Sequence, residues 1–376
     1  MTKYVGVLPS QDIVELSESG GINSTLPIEP RQVQPASLDL RLGRKAWRIR
    51  ASFLSGEGST VRKRLSEFGM HEIDLSNGAV LEKGCVYLVP LMESLAVPKD
   101  LTAVVNAKSS IGRLDIFTRC IADHGTEFDR IEPGYAGPLY SEICPRSFSI
   151  LVRPRLCLNQ IRFRRGESVL TDEELAQLHA RYRLVDGKAR IDNGLEFSVD
   201  LLPERGFAAG YRVKPHTGLI DLGKIDHYDP AKFWEPVYSE KGRIILDPGA
   251  FYILVSREAV HVPPVCAAEM VPFNAMVGEF RVHYAGFFDP GFGSTVYGGK
   301  KSRSVLEVRC HETPFSLEHG QALGRLVYER MTGVPERVYG PGLGSSYQGQ
   351  SLRLSKHFKE VLAEQKSSRR AASGEK

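Results

Sequence analysis

The chain has no run near the roughly 18–20 consecutive apolar residues that a membrane-spanning helix needs, so no such span is expected among its 376 residues. Its start, Met1-Thr2-Lys3-Tyr4, lacks the basic-then-apolar order of a secretory signal. A cytoplasmic location is the expectation that follows. Charge of one sign is also scarce: 49 Lys and Arg nearly balance 45 Asp and Glu, for a net +4. That balance argues against a nucleic-acid partner. Part of the excess sits in Lys366-Ser367-Ser368-Arg369-Arg370, which reads as a solvated end. The six cysteines, at 85, 120, 144, 157, 266 and 310, form no Cys-x-x-Cys pair. A structural zinc is therefore not expected, and scattered buried thiols in a reducing compartment are.

What is present is turn chemistry and alternation. Thirty-six Gly and 22 Pro bound short alternating runs such as Val86-Tyr87-Leu88-Val89 and Phe251-Tyr252-Ile253-Leu254-Val255, the pattern of an all-β protein. One helix stands out. Thr171-Asp172-Glu173-Glu174 forms a capping box ahead of Leu175, Leu178 and Tyr182.

The chain also repeats itself at a shift of 165 residues. Leu81-Glu82-Lys83-Gly84 falls on Leu246-Asp247-Pro248-Gly249, Glu93 on Glu258, Pro98 on Pro263, and Glu142 on Glu307. Ile150 to Phe163 falls on Phe315 to Tyr328, and Ala36-Ser37-Leu38-Asp39-Leu40 echoes Phe197-Ser198-Val199-Asp200-Leu201 at a slightly shorter shift. An ordered series of this length marks a duplication. The expected organisation is copy one over 1–168, a helical linker over 169–190, copy two over 191–335, and a C-terminal lid with a basic tail over 336–376.

Copy one carries Lys108-Ser109-Ser110-Ile111-Gly112-Arg113, then Ile131-Glu132-Pro133-Gly134-Tyr135, then Glu142. A fixed guanidinium fork and two hydroxyls suit phosphate oxygens. A Glu among apolar strand residues can be raised towards neutrality and move a proton. Order and spacing resemble the dCTP deaminase branch of the trimeric dUTPase-like superfamily. The resemblance implies two tandem distorted jelly-roll or β-barrel domains, a dCTP substrate, and a Glu that activates water. By the same resemblance Ser109 orients that water, while Lys108, Ser110 and Arg113 hold phosphates or developing charge. Magnesium is expected, bound mainly through the triphosphate. Zinc is not, since the His-x-Glu and Pro-Cys-x-x-Cys signature of the zinc-dependent cytidine deaminases is missing.

Copy two loses the phosphate motif. Phe273, Asn274, Ala275 and Gly278 stand where Lys108, Ser109, Ser110 and Arg113 do in copy one. Yet Phe288-Asp289-Pro290-Gly291 has the family's Asp where copy one has Glu132, and Ala285 matches a small residue at the base. The family's lid also follows copy two: Tyr339 lies eleven residues before Gln350, and Tyr347-Gln348-Gly349-Gln350 resembles the lid itself, with Ser346 in place of its lysine. Gly291-Phe292-Gly293-Ser294-Thr295 resembles the Gly-rich closing motif of dUTPases, but its place after the Pro-Gly turn suggests a flexible loop.

Two pairings stay open. A composite site joins Lys108 to Arg113 with Ala285, Asp289, Glu307, Tyr339 and Gln350, with Tyr347 a further substrate contact from the lid; the other joins the same segment with Glu142 of another first copy. The function expected is hydrolytic deamination of dCTP to dUTP and ammonia, feeding thymidylate synthesis. Its rivals are a dUTP diphosphatase, an enzyme doing both reactions, or a non-catalytic nucleotide sensor. The resemblance also implies a homo-oligomer with threefold-related domains and dTTP as a candidate regulator; charge balance and hydropathy add the expectation of no nucleic-acid or membrane partner.

Overall fold

The computed structural model describes residues 4–204, 206–272, 280–283, 286–294, 302–343 and 347–360. Strands dominate, as the alternation predicts. In Leu101–Ala107 every second residue, Leu101, Ala103, Val105 and Ala107, is buried; a period of two puts one face on the core.

The duplication is written in the strand order. In copy one, Leu38–Arg41 pairs with Cys157–Arg165, which pairs with Leu101–Ala107, which pairs with Arg130–Ile131. Copy two repeats that sheet with Leu195–Ser198, Ala322–Arg330, Cys266–Pro272 and Phe287–Phe288. The second sheet runs Gly69–Asp74, Lys45–Ile49, Val86–Ala96, Ala136–Pro145, Ile116–Ala122 in copy one. Its counterpart is Trp234–Val237, Gly210–Val213, Phe251–Val260, Ser302–Cys310, Phe280–His283. Side chains follow suit: Glu82 N donates to Tyr87 Oη and Asp247 N to Tyr252 Oη, both at 2.9 Å. Two packed antiparallel sheets per copy give the all-β class that the sequence implied.

One echo is out of register. Leu38 and Leu195 occupy equivalent places, opposite Ile161 and Leu326. Accordingly Glu93 accepts from Arg41 N and Glu258 from Ser198 N, each at 2.7 Å. The matching Ser-x-Asp tripeptides are therefore not structural counterparts; ladder pairing, not local identity, sets the register.

The predicted helix forms over Asp172–Tyr182 with both arms of the capping box, at 3.3 and 2.9 Å. It is less a linker than part of copy two. Leu175 is buried in that copy's core, and Glu174 pairs with Arg330 at 2.8 Å. Two further helices, Ser10–Glu18 and Val61–Phe68, had no comparable signal in the sequence. None of the six cysteines is in a disulfide, and four of them are buried.

The copies meet through buried polar contacts. Arg162 of copy one is fully buried; it donates to Ala268 O at 3.0 Å and Glu329 Oε2 at 3.1 Å, and lies 4.0 Å from the centre of the Phe287 ring. In the other direction, Ile220–Asp221 adds to copy one's Ile150–Val152 in parallel. The C-terminal segment then returns over the seam, with Arg353 O and Ser355 Oγ bonded to Arg113 and Ser110 of copy one. Phe358 packs against Tyr228, Phe233 and Trp234, fastening the lid at its far end.

Candidate active site

Lys108 is the last extended residue before a single helical turn, Ser109–Gly112, with Arg113 closing it: Arg113 N donates to Ser109 O at 3.1 Å. A turn this short leaves the Ser109 and Arg113 side chains close together on one side. The turn packs against copy two, and Arg113 becomes almost wholly buried at 3% exposure. Its guanidinium donates to Gln350 Oε1 at 2.9 Å and Arg353 O at 3.0 Å, and lies 3.8 Å from the centre of the Tyr347 ring. Arg113 Nε stands 3.8 Å from Glu307 Oε1.

Glu307 sits mid-strand in Ser302–Cys310, between Phe251–Val260 and Phe280–His283. Burial pushes its carboxyl up to about 8, against the opposing pull of Arg113. A buried acid near neutrality beside a cation can trade protons in the physiological range. Asp289, from the Pro-Gly turn, is likewise raised, to about 6, by burial against the pull of Arg162 3.5 Å away.

These groups share one small cavity of about 50 Å³, lined by Ser109, Arg113, Asp289, Glu307, Tyr339, Tyr347 and Gln350 with Phe287, Phe288, Phe292 and Val305 among the walls. A larger recess of about 430 Å³ lies between helix Ser10–Glu18 and Glu336-Arg337. Its walls are mostly apolar and hold none of the candidate site residues; those that the structure brings together line the smaller cavity. The segment expected to be the lid lines it and is tied down there: Tyr347 N donates to Tyr339 Oη at 3.1 Å, and Gln350 Nε2 to Arg303 O at 3.0 Å.

Other expected residues stand elsewhere. Lys108 turns its ammonium onto the buried carboxylate of Asp39; burial works most strongly against the charge there, but Asp39, Cys157 and Asp289 together outweigh it and hold the lysine's pKa up. Ser110 is buried beneath the lid, its carbonyl accepting from Ser355 Oγ at 2.7 Å. Glu132 is on the surface, 65% exposed and paired with Arg130 at 2.9 Å. Glu142 is buried like Glu307, but Oε1 takes two bonds from Arg119, at 3.1 and 2.6 Å, and that guanidinium lies 3.6 Å from the Phe128 ring centre. An internal cation thus occupies the place that Arg113 holds beside Glu307. Ala285, Ser346 and the positions Phe273 to Gly278 lie outside the described residues.

The Gly-rich run, expected to be a flexible loop, is tightly packed where it is described. Phe292 is buried, and a Cβ on Gly293, at φ +68°, would stand 1.9 Å from Val260 O; only glycine fits there. Gln348 reads the same turn, donating to Gly291 O at 3.2 Å. The aromatic walls and the Arg353 carbonyl were not singled out from the sequence. Phe288 and Phe292, in the Pro-Gly turn and the Gly-rich run, and Val305, two before Glu307, had a positional signal; Phe287 and Arg353 had none. Among the described residues no group of three His, Cys, Asp or Glu could hold a metal, and no helix is long and apolar enough to cross a membrane.

Comparison with known proteins matches both halves. Residues 4–167 match the 2'-deoxycytidine 5'-triphosphate deaminase N-terminal domain, and residues 171–358 the C-terminal domain. A crystal structure of 2'-deoxycytidine 5'-triphosphate deaminase from Agrobacterium tumefaciens is 55% identical with a TM-score of 0.84, covering 87% of this chain and 99% of that one. The dCTP deaminase of Natronomonas pharaonis is 30% identical over 185 residues, 46% of this chain and 91% of that protein. A "dCTP deaminase, dUMP-forming" of Methanothermobacter thermautotrophicus is 30% identical over 170 residues, 43% of this chain and 79% of its own. Each such relative spans about half of the chain, the share of one copy.

Proposed function

The chain belongs to the dCTP deaminase family, and on that premise we propose that it deaminates dCTP at the composite cavity, with Glu307 as the base. The observation that carries this is the meeting of Arg113 and Ser109 from copy one with Glu307, Asp289 and the lid from copy two.

The overall reaction is dCTP plus water to dUTP plus ammonia. Glu307 takes a proton from water as its oxygen attacks C4 and passes it to the ring nitrogen; it then takes the proton of the new C4 hydroxyl and gives it to the departing amine as the C4 carbonyl forms and the C4–N bond breaks. Ser109 orients the water. Arg113 faces the charge that develops and the phosphates, exchanging its bonds to Gln350 and the Arg353 carbonyl for substrate oxygens. Asp289 offers a carboxylate for the sugar end. Magnesium enters as part of the substrate, on the triphosphate; the residues around the cavity form no cage for it. Glu142 is a structural acid in this reading, neutralised by Arg119.

The supporting experiment is direct. Purified chain with dCTP and Mg²⁺ is expected to release ammonia and dUTP, and to keep doing so after zinc-selective chelation. Loss of activity restored by Zn²⁺ but not Mg²⁺ rejects the mechanism. Appearance of dUMP and diphosphate instead of dUTP assigns the second reaction as well, as in the dUMP-forming relative. Supply of dUTP for thymidylate synthesis, assembly as a homo-oligomer with threefold-related domains, and control by dTTP complete this reading. Solution mass and inhibition by added dTTP test the last two.

A pH dependence follows from the burial of Glu307. With its carboxyl pushed up to about 8, the free enzyme holds the base protonated at neutral pH. kcat/KM is expected to rise about tenfold per pH unit below that value and level off above it. A flat profile from pH 6 to 9 excludes Glu307 as the titrating base.

A further inference from the structure

The halves of the site come from different copies, so the distance between Arg113 and Glu307 must be set by contacts across the seam. We infer that the buried pair Arg309–Asp115 is a positioning pair that sets it; the inference rests on the Arg113–Glu307 reading above. Asp115 stands two residues beyond Arg113, and Arg309 two beyond Glu307. Along the strand Ser302–Cys310, residues i and i+2 share a face, so Arg309 follows Glu307 towards copy one.

There its guanidinium meets Asp115 Oδ2, with side chains 10% and 1% exposed. The same group donates to Gly249 O within copy two and to Ser147 Oγ of copy one at 3.3 Å, and Ser147 Oγ donates to Asp115 Oδ2 at 2.5 Å. Asp115 is itself tied to the turn that carries Ser109 and Arg113. Its N–H donates to Gly112 O at 2.8 Å, its carbonyl accepts from Arg146 N at 2.9 Å, and its φ is 55°, a left-handed conformation that Asp adopts more readily than most residues. A rigid turn in copy one and a central strand in copy two are thus pinned at one charged, directional contact. Neither residue lines the cavity. They act through Arg113 and Glu307, whose separation they fix.

Arg309→Met, Asp115→Asn, the double variant and Arg309→Lys, assayed beside Glu307→Gln and the parent, test this. Asp115→Asn keeps the backbone and the Ser147 contact but loses the charge. The double variant removes both buried charges, so it should fold with a Tm within a few degrees of the parent. A displacement of about 1 Å can cost on the order of 10²-fold in rate. Folded variants are therefore expected to lose tenfold or more in kcat with KM changed less than about threefold. The acid limb of kcat/KM should also move up, because a more distant Arg113 lowers Glu307 less, a change that a purely structural contact would not give. If the single variants unfold, the double and Arg309→Lys, which keeps the charge without the fork, decide. Parent-like kcat and an unmoved limb in either, with Glu307→Gln inactive, overturn the positioning role and leave the site reading intact. Activity retained in Glu307→Gln removes the site reading, and the positioning role with it.

Discussion

Glu307→Gln abolishes dCTP deamination while Glu142→Gln leaves most of it: that is the expected contrast between two buried carboxylates at matching places in the repeat. Gln keeps the shape and the hydrogen-bonding reach of Glu but cannot accept a proton from water. Loss of a positioned general base costs about 10²–10⁴-fold. Glu142 differs in its surroundings. Arg119, directly opposite on the neighbouring strand, takes one of its oxygens, so its replacement should cost stability rather than turnover. Breaking a buried pair by removing one partner costs about 3–5 kcal/mol. Glu307→Gln should behave oppositely in stability. Its folded-state carboxyl, raised to about 8 from 4.5, holds a proton that the unfolded chain releases, so stability is lost as pH rises through that window. A neutral Gln removes the loss, and the inactive variant should melt higher than the parent at pH 8. Parent-like turnover in Glu307→Gln, or the greater loss in Glu142→Gln, would falsify the assignment of the base.

The second large effect is expected at the turn. Arg113→Ala removes the cation beside Glu307 and the donor to the lid, and with them a charge-assisted contact to substrate. We expect turnover to fall by two or more orders of magnitude and KM for dCTP to rise. Ser109→Ala, at the first residue of the turn, should lower kcat strongly with less change in KM, since it orients water rather than phosphate. Circular dichroism should show the fold retained in both. Because Arg113 and Glu307 of one chain already meet across its own seam, co-refolding Arg113→Ala with Glu307→Gln chains is expected to restore nothing. Recovered activity in such hybrids would mean that the working site joins two chains. Unchanged kinetics in both single variants would make the segment an ordinary polar helix start.

Much of this was legible in the residues. The duplication, the β class and the capped helix at Thr171 all depend on local patterning, and local patterning survives folding. The 165-residue shift even predicts side-chain contacts, such as the paired tyrosine hydroxyls at Tyr87 and Tyr252. The proposed site residues Ser109, Arg113, Asp289, Glu307, Tyr339, Tyr347 and Gln350 all stand in the motifs, and the structure lines one cavity with them. Lys108, Ser110, Glu132 and Glu142 were named on the same grounds and stand elsewhere. Their residue types fit the chemistry, but their directions depend on neighbours far away in sequence: Asp39 draws off Lys108, Ser355 covers Ser110, and Arg119 binds Glu142.

By itself, then, the sequence determined that the chain is two β-rich copies of one unit, with a phosphate-type motif kept only in the first and a lid only after the second. Periodicity, turns and motif spacing are properties of short segments, and they carry that far. Which Glu faces Arg113 was decided by tertiary structure alone. Both carboxylates have the same strand setting and the same repeat position. Only the docking of copy two on the Ser109–Gly112 turn brings Glu307 within 3.8 Å of Arg113, and it excludes the water whose absence raises that carboxyl's pKa.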